Sequence, residues 1–120
     1  HESDWHTLAA TSVKLAKKIK ADAIVVLTRS GFTAELISSA RPRVPVFAFT
    51  NNRATQNKLS ISSSIENVFL NFSKDHEKTI KNAFDVLKSA YKFKNKNKLI
   101  VISGVFSDIF ADAIQIRFLK

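Results

Sequence analysis

Cysteine and methionine are both missing from these 120 residues, and glycine and proline occur only twice each. Without cysteine there is neither a disulfide framework nor a thiolate metal site, and a reducing compartment suits such a composition. Two glycines leave no room for the glycine-rich phosphate fingerprints. The Walker and Rossmann patterns are absent, and so are GxSxG, HExxH and CxxC. Acids are scarce as well, 10 Asp and Glu against 19 Lys and Arg, for a net charge of +9. No apolar run approaches the roughly 20 residues that a membrane-spanning helix needs, and no signal-peptide pattern opens the chain. The expectation is a cytoplasmic protein with no membrane partner. The chain begins with His1 rather than methionine, which suits an excised piece of something longer.

What is present describes one compact domain spanning residues 1–120. Hydrophobic residues make up 45% and charged residues 24%, a balance richer in apolar groups than disordered chains. The basic excess would favour a polyanion if it were clustered, because counterion release rewards grouped Lys and Arg. Much of it instead lies on helix faces and in the run Lys92-Phe93-Lys94-Asn95-Lys96-Asn97-Lys98, which reads as a solvated turn. Tyr91 and Phe93 are the only aromatic candidates beside lysines, so nucleic acid is not expected as a partner.

The periodicities alternate between helix and strand. Leu8, Leu15, Ala16 and Ile19 form a helical stripe within 7–20, and Ala23 to Leu27 is an apolar, β-branched run of strand length. Gly31 starts a second helix through about Ala40, closed by Arg41-Pro42 because a residue before proline avoids the α region. A strand follows at 44–49, then a short helix to Leu59 capped by Asn51 or Asn52, then a third strand at 68–72. Ser73 or Asp75 begins a long helix with Ile80, Phe84 and Leu87 on one stripe, and 99–102 is a fourth buried strand. Residues 113–119 alternate Ile114, Ile116 and Phe118 with Gln115 and Arg117, as an edge strand does; the short connection before it implies an antiparallel neighbour. The predicted fold is α/β, a three-layer α/β/α sandwich around a mixed, mainly parallel sheet of about five strands, with the last strand antiparallel at the edge.

No complete active site is visible. His1 and His6 fall in a segment expected to fray, His76 stands alone, and none has metal-ligand spacing to another. Asp108 and Asp112 resemble paired acids, although a turn accounts for them equally. The stretch LTRSGFT, residues 27–33, is chemically richer. It lies between an apolar strand and a helix, where ligands of open parallel sheets sit and where unpaired N–H groups carry partial positive charge. Thr28, Ser30 and Thr33 offer hydroxyls, Arg29 a cation and Gly31 close backbone approach, the ingredients of a phosphate cradle. On the other reading Ser30 is simply the N-cap, with Thr33 in the first turn. Both stay open at this level.

The segment AATSVKLAKKIKADAIVVLTRSGFTAELISSARPRVPVFAFTNN resembles the start of the C-terminal domain of pyruvate kinases. Thr28, Ser30, Gly31 and Thr33 fit the motif T-x-S-G-x-[ST], while Arg41, Pro42 and Pro45 fit R-P-x-x-P in register. Residues 75–87 and 98–104 continue the likeness, which covers almost the whole chain. The resemblance implies a regulatory and assembly domain of a parent that transfers phosphoryl from phosphoenolpyruvate to ADP. Magnesium, potassium and ADP or ATP would belong to a catalytic barrel domain of the same polypeptide, with no cofactor and no catalytic residue in this chain. It also implies a homo-oligomer, tetrameric in the parent, and a sugar-phosphate effector at Thr28, Arg29, Ser30, Gly31 and Thr33. A free-standing domain of the same fold, binding a small phosphorylated metabolite, inorganic phosphate or sulfate, is the alternative.

Departures from the family pattern accompany the match. Phe32 replaces the basic residue that relatives often carry, and Ser63-Ser64-Ile65-Glu66-Asn67 replaces an aromatic or basic residue followed by Gly-Val-Tyr-Pro. Residues 105–112 hold two acids and no glycine, where activator-binding members have a Gly-rich loop. The effector site is therefore expected to be partly degenerate.

Overall fold

In the computed structural model, which describes residues 2–61, 64–103 and 113–120, helices and strands alternate along most of the chain. The order is α1 (Glu2–Lys18), β1 (Ala23–Leu27), α2 (Phe32–Ser39), β2 (Val46–Thr50), α3 (Arg53–Leu59), β3 (Ile65–Phe69), α4 (His76–Ala90), β4 (Lys98–Ser103) and β5 (Ala113–Phe118). The sheet runs β3-β2-β1-β4-β5, parallel throughout except for the antiparallel pair of β4 and β5. The expected architecture is thus observed. Central β1 is fully buried because both faces are covered. Ile24 and Val26 pack with Ala9 and Ala16 of α1 and with Ala34 and Ile37 of α2. Ala23, Val25 and Leu27 pack with Ile80, Ala83, Phe84 and Leu87 of α4.

Besides shifts of one or two residues at other element ends, three features differ from the sequence reading, each for a local reason. The third strand occupies Ile65–Phe69 rather than 68–72, because Ile65 pairs with Val46 and Phe69 with Thr50 in parallel register. Leu70 and Phe72 still pack against the α4 side, so their apolar character marks packing just beyond the strand. The first helix begins at Glu2, so His6 lies within a helix rather than in a frayed end, while His1 is outside the described residues. The lysine-rich run does turn tightly, with Lys92 and Lys96 at φ 62° and 75°, but Phe93 is tucked in, edge-on to Phe47 at 5.4 Å.

The caps of α3 and α4 are among the candidates that the sequence offered. Asn52 accepts from the Thr55 N–H at 3.0 Å, and Asp75 accepts from the Glu77 N–H at 3.1 Å. On β5 the alternation places Gln115 and Arg117 toward α4, and Arg117 forms a two-pronged ion pair with Glu77 at 2.8 and 3.0 Å. That hydrogen bonding holds the Glu77 carboxyl below its ordinary value. Ile116 and Phe118 point to the opposite face and stay half exposed, at 48% and 53%, since no further strand or helix of the described residues covers them.

Candidate functional site

Several buried hydroxyls lie at the carboxyl ends of the parallel strands. Thr28 follows β1, Thr50 ends β2 and Ser103 ends β4, all at 5% exposure or less. A hydroxyl at a strand's last position meets the backbone of the following turn, which satisfies it and fixes the turn. Thr28 Oγ1 accepts from the Gly31 N–H at 2.9 Å, and Ser30 Oγ accepts from the Phe32 N–H at 3.2 Å. Both hydroxyls accept from N–H groups, and their own protons have no acceptor among the described residues.

Gly31 holds the N-cap position of α2 with φ 85° and makes no side-chain cap bond. Neither sequence reading of the helix start is met as written: the helix begins at Phe32, and Ser30 bonds a first-turn N–H from outside the cap position. The reason is steric as well as torsional. A Cβ at residue 31 would lie 3.2 Å from Thr55 Cγ2 and 3.3 Å from Leu59 Cδ2, so α3 packs against the backbone itself. Thr55 also donates to the Arg29 carbonyl at 2.6 Å, and Thr50 Oγ1 reaches the same oxygen at 3.5 Å. The loop is therefore held from below by β2 and α3.

The structure brings Thr28, Arg29, Ser30, Gly31 and Thr33 together around the start of α2. Arg29 and Ser30 are exposed, Thr28, Gly31 and Thr33 are buried, and the Arg29 guanidinium stands 5.9 Å from the Phe72 ring centroid. With Glu35 N bonded to Gly31 O, the N–H groups of Thr33 and Ala34 have no partner among the described residues. Both residues are buried, at 4% and 0% exposure, and their N–H groups with the helix dipole give the start of α2 a partial positive charge. Thr50, Thr55 and Phe72 support this loop although no motif marked them. Thr50 was detectable in principle, as a polar residue closing an apolar strand. His76 Nε2 lies 3.1 Å from Ser103 Oγ at the neighbouring strand end. Asp108, Asp112 and the rest of 105–112 lie outside the described residues. Among the described residues no three His, Asp or Glu are grouped to hold a metal ion, and no helix is long and apolar enough to cross a membrane.

An open, mainly parallel sheet wound on both faces, with a hydroxyl-rich loop at the carboxyl end of its central strand, defines a doubly wound α/β domain. The family model described as "Pyruvate kinase, alpha/beta domain" matches residues 6–116, and the chain belongs to that family. Pyruvate kinase isozyme A, chloroplastic, of Nicotiana tabacum is 30% identical over 99 residues, which is 82% of this chain and 17% of the tobacco protein. Plastidial pyruvate kinase 2 of Arabidopsis thaliana is 37% identical over 81 residues, 67% of this chain and 14% of that protein. Among solved structures, Cryptosporidium parvum pyruvate kinase in complex with ADP superposes with a TM-score of 0.85 at 25% identity, covering 97% of this chain and 24% of that one. The chain thus spans less than a quarter of the length of each of these three proteins.

Proposed function

We propose that this domain serves a longer pyruvate kinase as its non-catalytic regulatory and assembly part, and that the 28–33 loop holds a single phosphate. The parent would transfer phosphoryl from phosphoenolpyruvate to ADP, with magnesium, potassium and nucleotide handled by a barrel domain outside this chain. The observation that carries the reading is the loop geometry within a chain belonging to this family over residues 6–116. Thr28 and Ser30 hydroxyl protons, the Thr33 and Ala34 N–H groups and the Arg29 cation supply donors for one phosphate. By the family resemblance, segment 105–112 would serve a second phosphate, and its sequence offers Asp108, Asp112 and no glycine. High-affinity fructose bisphosphate activation is therefore lost in this reading. The exposed Ile116 and Phe118 on β5 support a part in homo-oligomer contacts, which light scattering of the purified protein reports. Cytoplasmic placement rests on composition alone, since the tobacco relative's name places that protein in the chloroplast.

Two outcomes are expected. The 120-residue chain shows no turnover with phosphoenolpyruvate, ADP and magnesium in a coupled assay, because phosphoryl transfer needs metal and phosphate clamps that would lie in the barrel. Turnover that follows a single purified species overturns the non-catalytic reading. In amide chemical-shift titrations, inorganic phosphate perturbs residues 28–34 with millimolar affinity, Ser30→Ala weakens it, and fructose bisphosphate binds no tighter than phosphate. Tight, saturable fructose bisphosphate binding that Ser30→Ala abolishes would refute the degenerate site.

A further inference from the structure

The opposite pole of the sheet carries a second concavity. α1 ends just before β1, and α2 ends just before β2, so the two helix C-termini converge below the amino ends of these strands. Between them lies a pocket of about 280 Å³ whose rim is Lys14, Lys17, Lys20, Arg41 and Arg43. Val13, Ala16 and Val44 complete the lining and give it an apolar floor. Among the described residues no acid lines it.

Cations near helix C-termini are expected from the helix dipole, and that alone would explain one or two of them. Three further observations separate this cluster from ordinary capping. Among the described residues, none of the five side chains makes a hydrogen bond or ion pair, either to a helix carbonyl or to a carboxylate. The acids that might neutralise them are engaged elsewhere. Glu35 pairs with Lys58 at 2.9 Å, and Asp22, two residues from Lys20, accepts instead from the Lys98 N–H at 2.8 Å. Lys20 and Arg41 also hold left-handed backbones, φ 56° and 55°, at helix ends where glycine is usual. Each costs conformational energy, and each places a cation on the rim rather than a bare backbone.

We propose that this pocket is a binding site for a small amphipathic anion, an organic phosphate or carboxylate carrying a compact apolar body. The cations take the charged group, and Val13, Ala16 and Val44 take the body. A polyanion without an apolar part leaves the floor wet, and a neutral apolar ligand leaves the like charges of the rim uncompensated. The site is distinct from the 28–33 loop, since β1, five residues long, separates the two by roughly 16 Å at ~3.3 Å per residue. It does not depend on the function proposed above.

Phenyl phosphate is the probe, titrated into the isotope-labelled protein at physiological salt, with inorganic phosphate and benzyl alcohol as the charge-only and apolar-only arms. Amide shifts at residues 17–21 and 40–44 are expected, with phenyl phosphate the tightest of the three. The double reversal Lys17→Glu with Arg43→Glu weakens it by roughly tenfold, since two exposed charge contacts turn repulsive. The matched reversal Lys74→Glu with Lys78→Glu, which changes net charge equally, leaves it unaltered. Both residues of the test pair are exposed, so the variant's folding is verified from its unchanged core amide spectrum. Equal binding of phosphate and phenyl phosphate, equal loss in both double variants, or shifts confined to 28–34 each overturn the proposal.

Discussion

Replacing Phe49 with alanine is expected to destabilise the domain by about 3–5 kcal/mol, the cost of a large cavity in a core that collapses only partly. Phe49 is fully buried on the α4 side of the sheet, packed in the cluster that holds Val25, Leu27 and Ile80. A loss of that size is a large share of the roughly 5–15 kcal/mol that stabilises an ordinary domain. Urea unfolding checks it, as a midpoint shift with an unchanged slope. The comparison is Phe118→Ala, at a side chain 53% exposed, where a change within about 1 kcal/mol is expected. Similar losses at both positions would mean that burial does not set the energetics of this sheet.

Gly31→Val is expected to cost about 3 kcal/mol, combining a left-handed backbone that L-residues resist with overpacking of a filled site. The backbone at φ 85° accounts for part, and the approach to Thr55 Cγ2 and Leu59 Cδ2 for the rest. Gly31→Asn separates them, because asparagine tolerates the left-handed region but brings the same Cβ. The valine variant should also lose the phosphate response of residues 28–34, as the Thr28 hydroxyl no longer meets a correctly placed N–H. A valine variant with wild-type stability and phosphate binding would show that neither constraint operates.

The elements that were legible in the sequence are those whose pattern is dictated by solvent on known sides. β1 reads as apolar throughout because helices cover both of its faces, and its limits were recovered residue for residue. Asn52 and Asp75 were each legible as one of two cap candidates, beside Asn51 and Ser73, since short polar side chains have few other uses before a helix. The third strand was misplaced because Ile65, Glu66 and Asn67 carry little apolar signal, while Leu70 and Phe72 carry it beyond the last paired residue. Register with β2, a tertiary fact, decided the matter. At the loop, the identities of the donors were legible but not their division of labour. That the Gly31 N–H and Phe32 N–H are already bonded, while those of Thr33 and Ala34 have no partner among the described residues, follows only from the folded turn. The basic pocket was hidden for the same reason, since Lys14 to Lys20 and Arg41 to Arg43 meet only when two helix ends converge.

The central place of β1 also governs when the domain can form during synthesis. The partner of one edge, β2, follows β1 closely in the chain, whereas that of the other edge, β4, comes much later, where Ala23 meets Leu99. At translation speeds of roughly 5–20 residues per second, that partner arrives about 4–15 seconds later. Until then the inner edge of the sheet is open, and its neighbouring residues are Ile24, Val25 and Val26. In that interval one edge of this strongly apolar strand lacks its partner, so the sheet cannot close until the stretch from α2 to β4 has been made.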